Sequence, residues 1–425
     1  MRLLILGINY APEKIGIAVY SSGMAEALAA AGHEVEVITA HPYYPDWRVP
    51  PDWPRWRYRR QTPAAKLRVL HCPLYVPAVP SGGRRILHHA SFAASALFPL
   101  LWRARRQRPE VVLVVAPSMI SALPGLAAAR LCGARTWLHL QDFEVEAAFA
   151  TGLLRADGRL GRAARAFEAS VLARFDRVSS ISATMLAKLA EKGVPDDRIV
   201  SFRNWADLSG VPGGPVDTAF KAELGITTQH VALYSGNLAN KQGLEILPQM
   251  ARLLAHRTDL TILICGEGSG RASLQEAAQD LPNIVFRPLQ PKQKLGALLS
   301  IADVHLLPQI AGAADLVLPS KLTNMLASGR PVIATARPDS ELGVELAQCG
   351  LVTPPGDVAA LTKALEALLD APDLRETLGG AARARAESDW AKDAVLGRLE
   401  TDLAALKRQS AATRDQRTEV INRLI

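Results

Sequence analysis

Two lysines in this chain fall where a phosphate could be held. Lys321 lies in DLVLPSKLTNMLASGRPVIAT (315–335), which reads as a polar turn, a short helix and a buried strand. Leu322, Met325 and Leu326 fall at i, i+3 and i+4, so one face of that helix is apolar. Pro319 suits a first helical turn, Gly329 ends the helix, and Pro331-Val-Ile-Ala opens the strand. Ser320 and Lys321 then sit at a helix N-terminus, where free N–H groups and the positive end of the dipole favour an anion. A solvated lysine on an ordinary α/β unit would give the same pattern. Lys241 lies in SGNLANKQG (235–243), directly after another strand, and Gly236 lets the chain turn there. Two cations near strand ends of one sheet suit a diphosphate.

The first half of the chain offers a second set. His139 and Asp142 close the run TWLHLQD (136–142), with Glu144 and Glu146 in the loop that follows. A histidine at a strand's carboxyl end is placed to hydrogen-bond a substrate hydroxyl; a structural imidazole fits as well. The segment GINYAPEKIG (7–16) has a glycine at the strand end but lacks the G-x-G-x-x-G spacing, so a nicotinamide site is unsupported. Gly16 precedes a helix, where its backbone can approach a phosphate or sugar, or simply turn. Tyr43, Tyr44 and Trp47 lead into Trp53, Trp56 and Tyr58, so three of the seven tryptophans lie within ten residues. Aromatics among arginines suit nucleic-acid bases, sugar rings, a lipid headgroup region or a packed loop.

Alternating strands and helices must position these groups. LLILG (3–7), EVEVITA (34–40), VVLVVAP (111–117), TWLHLQD (136–142) and RVSSIS (177–182) read as strands of a first sheet. HVALYSGN (230–237), LTILICGEG (260–268), NIVFRP (283–288), DVHLLPQ (303–309), RPVIATA (330–336) and GLVTPPGD (350–357) read as strands of a second. The pattern predicts two doubly wound, mainly parallel α/β domains. VPGGPVD (211–217) marks the linker. The expected organisation is 1–210, 211–375, a helical stretch 376–408 packing back on the first domain, and a polar tail 409–425. Ligands of such sheets bind at the carboxyl ends of strands, so an interdomain cleft is the expected site.

A chain of 425 residues exceeds one hydrophobic core, in keeping with two domains. The four cysteines are scattered, which argues against a disulfide framework or zinc site and fits a reducing compartment. No secretory signal is expected in Met1–Gly7. The net charge of +8 is uneven: residues 51–108 hold twelve basic residues and one acidic residue. Such a block implies an anionic partner: a membrane surface, a nucleic acid or a phosphorylated lipid. Within it, Ile86–Trp102 is uncharged and bracketed by Arg84 and Arg85 on one side and Arg103, Arg105, Arg106 and Arg108 on the other. It suits a helix lying in a membrane interface or one buried in the domain, and is short for a span.

The segments GINYAPEKIGI (7–17), ITAHPYYPDW (38–47), CPLYVP (72–77), LHLQDFEV (138–145), YSGNLANKQGLE (234–245) and AADLVLPSKLTNMLASGRPVIAT (313–335) together resemble glycosyltransferase family 4 of the GT-B fold. More narrowly they resemble bacterial exopolysaccharide enzymes of the colanic-acid type. The resemblance implies two Rossmann-like domains facing a cleft and a nucleoside-diphosphate sugar bound mainly by the second. It implies transfer with retention of configuration, with no metal and no cofactor. Gly16 would approach the donor phosphates, His139 would stand near the donor sugar, and Lys241 would match the phosphate lysine. Glu267 to Gly270, with Gly268, would match the glycine-rich loop. The pattern departs at Asn237, where many members carry arginine, and at Leu316 and Asn324, where they carry glutamates. Asp315 or the turn Pro319–Lys321 would then take over sugar contacts.

The expected activity is that of a glycosyltransferase acting on a lipid-diphosphate-linked or other saccharide acceptor, peripheral at the cytoplasmic face of the inner membrane. His139 and Asp315 are the expected catalytic residues. Gly16, Gly236, Asn237, Lys241, Glu267, Gly268, Ser320, Lys321 and Asn324 would hold the donor. Tyr44, Trp47, Arg84, Arg85, Arg103, Arg105 and Arg106 would meet the acceptor or an anionic membrane. The alternatives are a nucleotide-sugar epimerase of the same architecture and a nucleic-acid-binding protein using the basic segment; the acid-balanced second half counts against the latter.

Overall fold

The computed structural model describes residues 1–14, 16–79, 82–117, 119–150, 158–206, 208–211, 213–238, 242–310, 318–319 and 321–424. The chain divides into two compact units, residues 1–204 with 396–425, and residues 205–395. The division thus follows Asn204 rather than residue 210, and residues 376–395 belong to the second unit.

The first unit is built on an eight-stranded sheet. Its strands are β1 (Arg2–Gly7), β2 (Glu34–Ala40), β3 (Arg59–Ala64), β4 (Leu67–Cys72), β5 (Val111–Ala116), β6 (Arg135–Leu140), β7 (Arg177–Ser180) and β8 (Ile199–Ser201). They lie in the order β3-β4-β2-β1-β5-β6-β7-β8, parallel except for β3 against β4. Leu3 pairs with Val35 of β2 and with Val111 of β5, so β1 sits at the point where the winding reverses. Every residue of β5 is buried, as expected of a strand covered on both faces. The helix Gly82–Gln107 runs unbroken through the uncharged stretch and contains Pro99. Among the described residues no helix is long and apolar enough to cross a membrane.

The second unit carries a six-stranded, wholly parallel sheet. Its strands are β9 (His230–Ser235), β10 (Leu260–Cys265), β11 (Ile284–Arg287), β12 (Val304–Leu307), β13 (Val332–Thr335) and β14 (Gly350–Thr353), in the order β11-β10-β9-β12-β13-β14. The period of two separates two cores. Val231 and Leu233 join one cluster with Leu326 and Leu342, while Ala232 and Tyr234 join another with Leu247 and Leu365. Each valine or leucine among these contributes roughly 1.5–3 kcal/mol when fully buried. The winding reverses between β9 and β12, which puts the β9 carboxyl end at the switch point of this sheet.

Candidate active site

At that switch point the chain leaves β9 through Ser235, Gly236, Asn237 and Leu238. Gly236 has φ 150°, and a Cβ there would fall 2.8 Å from the Lys321 ammonium nitrogen. Only glycine lets the backbone and the lysine come so close. The loop after β10 locks against the loop after β9. Leu238 donates its N–H to Glu267 O at 2.9 Å, and Gly270 donates to Leu238 O at 2.7 Å. A Cβ on Gly266 would stand 1.9 Å from Gly236 O, and one on Gly268 2.6 Å from Leu238 O. Glu267 is exposed and paired with Arg271 at 2.6 Å. Asn237 is also exposed, and its carbonyl accepts from the Tyr234 hydroxyl at 2.7 Å.

Lys321 caps the six-residue helix Leu322–Ala327, which follows a turn in which Leu322 N–H bonds to Pro319 O. Pro319 therefore precedes the helix rather than occupying its first turn. The Lys321 ammonium donates to the Tyr234 hydroxyl at 2.7 Å and to Gln242 Oε1 at 3.4 Å, and lies 4.3 Å from the Tyr234 ring centre. Burial lowers its pKa to about 8, and no carboxylate among the described residues offsets that shift. Burial likewise raises the Tyr234 phenol, so it remains a neutral donor. Tyr234 and Gln242 are the residues that sequence reasoning passed over. Asn324 is half-buried in the helix after Lys321. Lys241, Asp315 and Ser320 lie outside the described residues.

The carboxyl edge of the first sheet holds the other candidates. His139 is buried on β6. One ring nitrogen lies 3.0 Å from Ser179 Oγ and the other 2.9 Å from the Gln141 amide, which is itself paired with Asn204. Burial lowers its pKa to about 3, so the ring is neutral. The expected ligand-facing imidazole is thus enclosed by partners of its own unit. Asp142 accepts from Phe143 N–H, Glu144 lies 2.9 Å from His89, and Glu146 pairs with Lys192 at 2.7 Å.

Gly16 opens the helix Ile17–Ala30 with φ 63°, and Tyr44 is its near neighbour. Beside it lies a carboxylate with three hydrogen bonds. Glu13 accepts from Tyr43 N–H and Tyr44 N–H, both at 2.9 Å, and from the Asn9 amide at 3.0 Å. Burial raises its pKa against the pull of those three donors. Glu13 so fixes the aromatic turn, leaving Tyr44 exposed while Trp47 packs against Tyr43 and His88.

The arginines of the basic segment do not act alike. Arg84, Arg85, Arg105 and Arg106 are exposed. Arg103 is turned inward and paired with the buried carboxylate of Glu36, so it cannot face a membrane. Among the described residues no three His, Cys, Asp or Glu side chains are grouped to hold a metal ion.

Residues 16–205 match the glycosyl transferase 4-like domain, and residues 216–385 match glycosyl transferases group 1. A candidate colanic acid biosynthesis glycosyl transferase of Escherichia coli K12, WcaI, is 45% identical over 352 residues, covering 81% of this chain and 85% of that protein. The chain belongs to this glycosyltransferase family. Glycogen synthase of Mycobacterium tuberculosis is 26% identical over 92% of this chain and 91% of its own. Among solved structures, sucrose-phosphate synthase of Thermosynechococcus elongatus aligns with a TM-score of 0.62 at 18% identity, over 95% of this chain and 99% of that one. Anabaena HepE in complex with UDP aligns at 0.60 and 14% identity, over 95% and 100%. The fold of this glycosyltransferase is accordingly GT-B, with two Rossmann-like halves.

Proposed function

We propose that this glycosyltransferase moves a sugar from a nucleoside-diphosphate donor to a lipid-diphosphate-linked or other saccharide acceptor in exopolysaccharide assembly. The observation that carries the donor reading is Lys321: a half-buried ammonium at a switch point, with no described carboxylate to neutralise it. A partly desolvated cation of this kind calls for an anion, and a diphosphate supplies one. The pathway reading draws on the colanic acid role named for the 45% identical relative, and the nucleotide reading on UDP in the HepE structure.

The chemistry follows from where charge develops. As the sugar leaves, negative charge grows on the diphosphate, and an ammonium already in place stabilises it without reorganising. The departing phosphate can take the acceptor's proton. The acceptor then arrives on the face the phosphate leaves, and configuration is retained. This reading assigns the role of a metal to protein cations and includes no cofactor. The exposed arginines of the first unit supply a surface for the acceptor's phosphates and the cytoplasmic leaflet of the inner membrane.

The test is a thermal-shift panel of nucleoside diphosphates and their sugars. A ligand at one hundred times its Kd should stabilise the protein by about 2.7 kcal/mol. Lys321→Met should abolish that shift while leaving the unliganded protein folded. An equal shift in the variant would remove the phosphate role. Conversion of the nucleotide sugar without an acceptor would identify an epimerase instead.

A further inference from the structure

The helix Gly82–Gln107 buries one face and leaves another bare. His88, Phe92, Ala96 and Leu100 point inward. On the outer side Ile86 is 58% exposed, Leu87 54%, Leu97 39%, Phe98 77% and Trp102 44%. No charged residue interrupts that side between Arg85 and Arg103. At 1.5 Å per residue the ridge from Ile86 to Trp102 is about 24 Å long. A neighbouring turn continues it: Trp56 is 67% exposed, and the Tyr58 hydroxyl donates to Ser95 O on the helix at 2.8 Å. Exposed apolar surface of this extent marks an interaction site.

Its charge pattern selects the occupant. Exposed arginines stand at both ends of the ridge, Arg84 and Arg85 at one and Arg105 and Arg106 at the other, and Arg55 and Arg57 flank Trp56. Apolar side chains in the middle with arginines at the margins match a lipid interface, with acyl chains beneath and phosphates around. Tryptophan and tyrosine belong at that same depth.

We propose that this ridge inserts into the acyl layer of an anionic bilayer, so that the enzyme is held by burial of Leu97, Phe98 and Trp102 and not by arginine attraction alone. The proposal rests on the membrane part of the reading above and adds its mode. Adsorption by charge is screened by salt, whereas burial of apolar surface is not. Binding should therefore keep a salt-resistant part.

The experiment uses the full chain and vesicles of phosphatidylcholine with one quarter phosphatidylglycerol. Sedimentation at 0.05 M and 0.5 M NaCl is compared for the wild type, L97S/F98S and R105E/R106E. Both serines replace exposed side chains, so folding should be kept, and an unchanged nucleotide-induced thermal shift checks it. The double serine variant should lose about tenfold or more of its affinity at high salt. The charge-reversed variant should lose affinity mainly at low salt. Brominated acyl chains should quench tryptophan fluorescence, and W102F should remove part of that quenching. Complete release of the wild type by salt, or unaltered binding by L97S/F98S, overturns insertion. So does a stable dimer that forms through the ridge and ignores vesicles. A wild type that binds vesicles but no nucleoside diphosphate leaves insertion standing and refutes the donor reading.

Discussion

Lys321 carries its own pH signature. Its folded-state pKa is depressed from 10.5 to about 8, so above about 8 the folded protein releases a proton that the unfolded chain still holds. Stability from this group therefore rises as pH climbs through that window, because the unfolded state then binds more protons. A bound diphosphate reverses the preference by holding the ammonium charged. Nucleotide affinity should be flat below pH 7 and fall by up to about tenfold per unit above 8. Titration calorimetry across pH 6.5–9.5 checks this, and Lys321→Arg, which keeps a cation that does not titrate in that range, should flatten the profile; an unchanged slope would mean another group is responsible. The lysine was legible from its place between Pro319 and an apolar helix face. Tyr234 was not, because a tyrosine inside HVALYSGN reads as core, which its ring is; only the pairing of strands brings its hydroxyl to the lysine. Arg103 misled for a related reason. It lies seven residues after Ala96, on the buried stripe of its helix, but the run of arginines around it hides that phase.

Among elements, strands buried on both faces announced themselves as apolar runs, and the hairpin β3–β4 did not. RRQTPA is charged, contains proline and is mostly exposed, so nothing in its local pattern says strand. It exists because β4 offers it an edge, and edge strands commonly carry charge and proline. The three-residue β8 is too short to show a period. The paired glycine loops after β9 and β10 give a sharper test. Gly266→Ala drives a methyl into Gly236 O and should cost about 1–3 kcal/mol and most of the nucleotide-induced thermal shift. Gly380→Ala meets nothing within 4 Å on an exposed position of the helix Pro372–Arg385 and should stabilise by about 1 kcal/mol. Denaturant melts of both variants decide; an unaffected Gly266→Ala protein would mean the loops are not locked together.

At the scale of the whole molecule, the sequence reads as first domain, second domain and trailing helices, whereas the chain divides after Asn204, ahead of the Pro- and Gly-rich stretch 211–217. The return of the chain at Leu396 was harder to place, since the helix Lys392–Leu424 shows no break there. Leu396, Leu399, Leu403 and Leu406 are buried, Lys407 pairs with Glu110 at 2.6 Å, and Glu400 meets His33 at 3.1 Å, all within the first unit. A chain ending at residue 395 should therefore melt in two steps, with the first unit failing first, as differential scanning calorimetry would show; a single unshifted transition would deny the helix that role.

This arrangement also makes the second unit an insertion in the first. A ribosome delivers residues 1–204 early, yet the leucines that finish that unit emerge only after residues 205–395. Domains usually fold in the order of their synthesis. Here the nascent first unit must wait, with a greasy strip uncovered, while an entire α/β unit is made and folded behind it. Its dependence on chaperones should thus track the length of that wait, and slowing translation between residues 205 and 395 should lower the yield of soluble enzyme more than slowing it elsewhere.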